Sequence, residues 1–143
     1  MNTKVLLAAF VGAVISFFFG WIVYGMLLYS FMEDRTIYYE GLMKDPPVLW
    51  AIFVGGFCVY LLGAIIFDKW ANIRSFIPGL KAGLWIGLLM SLFMDLYNYA
   101  FMNLWGFDLM IVDIVINTIM FGIIGGVIGA ILGSGKKEIL PES

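Results

Sequence analysis

The chain has 143 residues, of which 63% are hydrophobic and 13% are charged, and its mean hydropathy is +1.01. Soluble domains are about 45–50% apolar and about 25% charged, so this composition excludes a water-soluble monomer. The formal net charge is -2 and the charges are scattered, so a nucleic-acid partner is not expected. The absence of histidine removes the most common metal ligand and the usual general base near neutral pH.

Four apolar blocks, each long enough to cross a bilayer, divide the chain. They predict transmembrane helices over residues 5–31, 48–67, 79–102 and 109–132, within a single membrane domain of residues 1–143. Helices are predicted because a backbone in lipid must satisfy its own hydrogen bonds. The first apolar run is too long for a signal peptide, so it is expected to stay as a helix. The predicted fold class is an all-α bundle of four transmembrane helices.

Charged and turn-forming residues lie between these blocks. Pro46 and Pro47 end the first connection and break any continuous helix, while the third connection is so short that the last two helices must be antiparallel neighbours. Most basic residues fall on the side of the termini and the second connection. These are Lys4, Lys69, Arg74, Lys81, Lys136 and Lys137, against Arg35 and Lys44 on the other side. The positive-inside rule therefore predicts an inner-membrane protein with both termini in the cytoplasm.

Small residues recur at spacings of three or four in three predicted helices, a pattern typical of close helix contacts in lipid. The predicted packing positions are Ala8, Gly12, Ser16, Gly20, Gly83, Gly87, Ser91, Gly122, Gly126, Gly129 and Gly133. The glycines of the fourth helix lie opposite its polar residues, so this face is expected to meet a second copy or another membrane protein. The alternative is that small residues are simply common in membrane helices.

The two halves of the chain share a partial repeat of small residues and tyrosine. Ala8, Gly12, Ser16 and Tyr24 recur at a constant offset as Gly83, Gly87, Ser91 and Tyr99. Two parallel helical hairpins related by an axis along the membrane normal produce such a pattern. Chance recurrence explains it equally well.

Acidic and amide side chains interrupt the apolar sequence of the last two helices. At about 100° per residue, Asp95 and Asn98 continue the small-residue face of the third helix, and Asp113 and Asn117 share a face of the fourth. A rise of about 1.5 Å per residue places them at the depth of Tyr24, in the outer half of the bilayer. These five residues are expected to form one cluster.

Two carboxyl groups in such a cluster cannot both be ionised at low cost, because desolvation and mutual repulsion favour the neutral acid. One interpretation is a protonatable, cation-binding or small-ligand site, since ionisable residues inside membranes are often functional. A second is interhelical bonding, with a protonated Asp95 bonded to Asn117 or Tyr24 and Asp113 near the wet interface. A third pairs Asp95 with a basic residue of another subunit.

The stretches "FFFGWIVYG", "GLKAGLWIGLLM" and "LMIVDIVINTIMFGIIGGVIGAIL" resemble a family of short bacterial integral membrane proteins with four spans and no assigned activity. The family pattern is a Gly-x-x-Trp-Tyr-Gly type signature in the first span and an acid near the start of the last. Its matching positions here are Gly20, Tyr24, Gly25 and Asp113, with Val23 in place of the tryptophan. The resemblance implies the four-helix fold and its orientation.

Three function classes follow from these patterns. The favoured class is a non-enzymatic membrane subunit whose helices pack against other membrane proteins or against its own copies. The alternative is a small transporter, channel or ligand-binding module that uses the cluster of aspartate and asparagine residues. An enzyme is the least favoured class, because the sequence contains no nucleophile motif. No cofactor or metal is predicted, and the expected partners are the lipid bilayer and other membrane proteins.

Overall fold

The computed structural model describes residues 2–135, and this part of the chain contains five α-helices and no strand. The helices are α1 (Thr3–Ile22), α2 (Tyr29–Glu33), α3 (Leu49–Ile65), α4 (Phe76–Phe101) and α5 (Phe107–Gly133). A π-helical turn extends α1 over Val23–Leu27 and another extends α3 over Ile66–Trp70. Lys136 and Lys137, which contribute to the predicted orientation, lie outside the described residues.

Four of the helical segments are long and apolar enough to cross a membrane. They are Thr3–Leu27, Leu49–Trp70, Phe76–Phe101 and Phe107–Gly133, with 25, 22, 26 and 27 residues. The outward faces of these segments are apolar, as for Trp85, which is 67% exposed. The predicted all-α bundle of four membrane-spanning helices is confirmed.

The first predicted helix, residues 5–31, is divided in the structure. The Leu28 N–H donates to the carbonyl oxygen of Val23, five residues earlier, at 2.8 Å, and Leu28 itself has a φ of -106° and a ψ of 3°. The chain leaves the helical path there, and α2 is a separate short helix. Hydropathy did not indicate this break, because the apolar run continues through Phe31 without proline.

The helices pack in the order α3, α1, α5, α4. α3 packs on α1, α4 packs on α5, and the contact between α1 and α5 joins the two pairs. An apolar groove of about 170 Å³ lies between α3 and α4, with α5 at its base. α1 and α3 form one hairpin, and α4 and α5 form the other. The two hairpins do not pack in the same way, so the partial repeat in the sequence does not produce equivalent helix contacts.

The contact between α4 and α5 depends on glycine. The buried residues of α4 recur every fourth position, as Gly79, Gly83, Gly87, Ser91 and Asp95. A Cβ on Gly83 would lie inside contact distance of the Phe121 carbonyl oxygen, and a Cβ on Gly125 would lie 2.5 Å from the Gly79 carbonyl oxygen. A backbone carbonyl cannot rotate away as a side chain can, so these positions require glycine.

The glycine face of α5 is covered by the same chain. Gly122 and Gly126 lie against side chains of α4, whereas Gly129 and Gly133 lie against carbonyl groups of the connection that precedes α4. The expectation that this face meets a second copy or another protein is therefore not met. The reason is that α4 returns along α5 as an antiparallel neighbour and occupies the face itself.

Polar contacts hold the end of the bundle where the chain termini lie. The guanidinium of Arg74 pairs with the carboxylate of Asp68 at 2.6 Å, and the Asp68 side chain is only 6% exposed. The Lys4 ammonium donates to the carbonyl oxygen of Ser134, which places α1 and the end of α5 at the same end of the bundle. Which side of the membrane this end faces stays a prediction from the basic residues.

The opposite end of the bundle, here called the loop end, is covered by the first connection. The N–H of Ile37 donates to the carbonyl oxygen of Leu104 at 2.7 Å, and the Tyr39 hydroxyl donates to the carbonyl oxygen of Asn103 at 3.1 Å. These bonds join the first connection to the third, so the first connection covers the ends of the helices at the loop end.

Candidate functional site

The candidate site lies near the loop end, where α1, α4 and α5 bring polar side chains together. Tyr24 comes from the π-helical turn that extends α1. Asp113 and Asn117 are four residues apart on α5 and therefore lie on one face of that helix. Asp95 comes from the buried face of α4. The side chains thus reach the site from three places: the turn after α1, the buried face of α4, and one face of α5.

The carboxylate of Asp113 is the centre of the hydrogen bonds. The Tyr24 hydroxyl donates to Asp113 Oδ1 at 2.7 Å. The Asn117 amide nitrogen lies 2.7 Å from Asp113 Oδ2 and 3.1 Å from the Tyr24 hydroxyl oxygen. A residue of α1 and a residue of α5 therefore hold this carboxylate in one orientation.

Asp95 is the least satisfied polar residue of the site. It is 4% exposed, and its Oδ2 atom is buried without a hydrogen-bonding partner among residues 2–135. It lies on the buried face of α4, and α4 packs on α5, the helix that carries Asp113. Since an ionised carboxylate can only accept hydrogen bonds, this buried oxygen needs a hydrogen-bond donor, a proton or a cation beside it.

Three of the five residues predicted to cluster, Tyr24, Asp113 and Asn117, are joined by hydrogen bonds, and Asp95 lies on the face of α4 that packs on α5. Asn98 is half-buried and stands outside this hydrogen-bonded group. Asn117 and Tyr24 bond to Asp113, where the sequence interpretation had them bonding to Asp95. Because α5 begins at residue 107 instead of 109, Asp113 lies about 9 Å into the helix, deeper than the sequence predicted.

The predicted packing positions of α1 divide into two groups. Ala8 is fully buried, a Cβ on Gly12 would lie 3.0 Å from Ile124 of α5, and the hydroxyl of Ser16 lies 3.7 Å from the sulfur of Met120. Gly20 is different, since a Cβ there would meet nothing within 4 Å. The first three positions face the bundle, while Gly20 faces open space.

Two cavities near the loop end were not predicted from the sequence. The first, here called the helix chamber, lies between α1 and α3 and measures about 620 Å³. The second, here called the loop chamber, lies under the first connection and measures about 600 Å³. Both chambers are lined by Tyr24, Tyr29, Met43 and Lys44. Tyr24 thus connects both chambers to the carboxyl groups.

The sequence feature that accompanies the chambers is the high content of tyrosine and tryptophan on either side of the first connection. Aromatic residues in membrane helices mostly pack or anchor at the interface, so this signal alone does not locate a cavity. The path of the first connection, from α2 to Pro47, decides where these rings are placed. That path depends on tertiary contacts with the third connection.

Among the described residues there is no group of three or more histidine, cysteine, aspartate or glutamate side chains that is able to hold a metal ion. No family model, curated protein or solved structure matches the chain. The resemblance to short bacterial proteins with four spans therefore stays a prediction, and the candidate site rests on its geometry.

Proposed function

We propose that this integral membrane protein lies in the inner membrane and binds a proton or a small cation at the Asp95–Asp113 pair, as a small transporter or ligand-binding module. The observation that carries the proposal is the buried Oδ2 atom of Asp95, which has no hydrogen-bonding partner among the described residues and lies on the face of α4 that packs on α5, the helix of Asp113. A bound proton or cation supplies the missing partner.

The charge around the pair supports this proposal. The ion pairs of the described residues lie at the two ends of the bundle and use Arg35, Lys69 and Arg74. Within residues 2–135, they leave the carboxyl pair inside the membrane without a basic partner. Two desolvated carboxylates side by side repel each other, and ionisable groups at such depth often mark ion pathways.

Access to the pair also supports the proposal. Tyr24 lines both chambers and donates its hydroxyl hydrogen to Asp113. An ion that enters from the loop end therefore meets Tyr24 before the carboxyl groups. The π-helical turn that carries Tyr24 is of a kind frequently found at functional sites.

Flux through the purified protein in lipid vesicles tests the proposal. A pH-sensitive dye inside the vesicles reports proton flux under an imposed gradient, and separate vesicles test sodium and potassium ions. Asp95→Asn and Asp113→Asn are expected to lose the flux of the wild-type protein. Asp108→Asn is the matched control, because Asp108 is an exposed acid near the start of the same helix. Wild-type flux in both intramembrane variants would exclude transport by this pair.

The second candidate function is a non-enzymatic assembly subunit, and the low burial of α3 within the chain favours it. Only 11% of its membrane-spanning window is buried within the chain, and Gly55 and Gly63 leave open space around their Cα atoms. A partner helix that approaches closely needs such small residues. Mass spectrometry after mild detergent extraction is then expected to detect a stoichiometric complex that Gly55→Leu disrupts. Recovery of an unchanged monomer from both proteins would contradict the subunit role.

A further inference from the structure

We infer that the helix chamber and the loop chamber together form a binding site for a small organic cation, an ammonium ion that carries an apolar group. This inference rests on the proposed cation site and adds the class of ligand. The evidence for it is the volume of the chambers and the aromatic and acidic residues that line them.

Aromatic side chains surround both chambers. The helix chamber is lined by Phe17, Trp21, Tyr24 and Tyr29, and the loop chamber adds Tyr38, Tyr39 and Trp105. Aromatic faces attract ammonium groups within about 6 Å of the ring centre, and they also receive apolar substituents. The loop end already contains one such contact, since the Arg35 guanidinium lies 4.0 Å from the centre of the Phe31 ring.

The charges around the chambers also favour a cation. Glu33 and Asp45 line the loop chamber, and beyond Tyr24 lies the Asp113 carboxylate. Among the described residues that line the chambers, Lys44 is the one basic residue. Acidic groups therefore outnumber it, and an anionic ligand would approach the Asp95–Asp113 pair at a cost.

An organic cation fits the lining better than a metal ion does. Calcium takes six to eight oxygen ligands and magnesium requires about six in near-octahedral geometry. The described residues offer no metal-binding group of three acids. The volumes of about 600 and about 620 Å³ are in the range of about 300–1,000 Å³ typical of small-molecule sites.

Binding of benzyltrimethylammonium to the full chain in lipid nanodiscs tests the inference. Titration calorimetry is expected to show saturable binding, with a Kd more than about tenfold lower than for benzyl alcohol or benzylsulfonate. These two compounds keep the benzyl group and replace the cation by a neutral and an anionic group. No saturable binding of the ammonium ion, or equal binding of benzylsulfonate, would overturn the inference.

Two glycine variants locate the site. A Cβ on Gly20 or on Gly63 would meet nothing within 4 Å, so a side chain can leave the backbone at either position. Gly20 lines the helix chamber, whereas Gly63 lines the groove between α3 and α4. Gly20→Leu is expected to raise the Kd by about tenfold or more by filling the chamber. Gly63→Leu is expected to leave it unchanged, and equal effects of the two variants would contradict the location.

Charge variants separate this inference from the proposed function. Lys44→Gln is expected to tighten ammonium binding by about threefold, because it removes a like charge, and Asp113→Asn is expected to weaken it by about fivefold. The opposite change at Lys44, or an unchanged Kd at Asp113, would overturn the inference. Proton flux that depends on Asp95 in a protein that binds no ammonium ion would overturn the inference alone and leave the proposed function standing.

Discussion

The two helical hairpins of this protein achieve contact in different ways. In the hairpin of α4 and α5, glycine allows one backbone to lie against the other, as at Gly83 and Phe121. In the hairpin of α1 and α3, alanines of α1 pack with larger side chains of α3 such as Tyr60, and the helix chamber lies between the two helices. Helices whose backbones approach closely leave no space for a ligand between them. Helices that pack through larger side chains leave such a space.

The polar cluster lies where these two regions meet. Asp95 and Asp113 belong to the close-packed hairpin, while Tyr24 belongs to the hairpin with the chamber and bonds across to Asp113. A rigid pair of helices thus positions the carboxyl groups, and the more open pair provides access. We therefore expect substitutions in the two hairpins to lower the free energy of unfolding by unequal amounts.

The largest effect is expected from Gly83→Ala. Its Cβ would overlap a backbone carbonyl of α5, so the free energy of unfolding should fall by about 3 kcal/mol, as for overpacked cores. Unfolding by sodium dodecyl sulfate in mixed micelles, followed by circular dichroism, measures the change. Gly63→Ala in α3 is the matched control and should change the value by less than about 0.5 kcal/mol. Equal losses would show that both hairpins are packed alike.

Arg74→Gln tests the link between the hairpins at the end with the termini. It removes a partner of Asp68, whose side chain is 6% exposed, and a buried charge without its partner is costly. Lys69 remains 3.8 Å from Asp68, so a loss of about 2 kcal/mol is expected, below the range of about 3–5 kcal/mol for a fully isolated charge. The same unfolding measurement applies, and a loss that Asp68→Asn in the same chain does not relieve would point to another cause.

Tyr24→Phe tests the bond between the hairpins inside the membrane. Loss of the hydroxyl should lower the free energy of unfolding by about 1 kcal/mol, the usual value for an interhelical hydrogen bond in lipid. Tyr29→Phe provides the comparison, because the Tyr29 hydroxyl lies 3.4 Å from Glu33 in an exposed contact. A Tyr24 variant as stable as the Tyr29 variant would mean that this bond does not hold the hairpins together.

The smallest effect is expected from Arg35→Gln at the loop end. The pair of Arg35 and Asp108 has a distance of 3.2 Å, but the two side chains are 43% and 59% exposed. Such pairs contribute less than about 1 kcal/mol, and added salt should reduce the difference from wild type further. A loss as large as that of Arg74→Gln would indicate that the cap over the chambers is a main source of stability.

The sequence predicted the spans well, because lipid imposes one requirement on every residue of a membrane helix. Face and depth also placed Tyr24, Asp113 and Asn117 together, as their hydrogen bonds show, since helix geometry converts spacing into position. The same geometry placed Asn98 in the group, although it makes no bond there. Asn98 lies almost one helix turn beyond Asp95, and hydropathy does not resolve positions this close.

What the sequence determined by itself is a membrane bundle of four helices with carboxyl groups inside it, because composition and period are properties of each segment alone. The tertiary structure decided which carboxyl group Tyr24 bonds, that α4 covers the glycine face of α5, and where the chambers open. These features depend on how α1 and α3 sit beside α4 and α5 and on the path of the first connection. Contacts between segments that are distant in the sequence determine the helix arrangement and the path of this connection, and no local sequence pattern predicts such contacts.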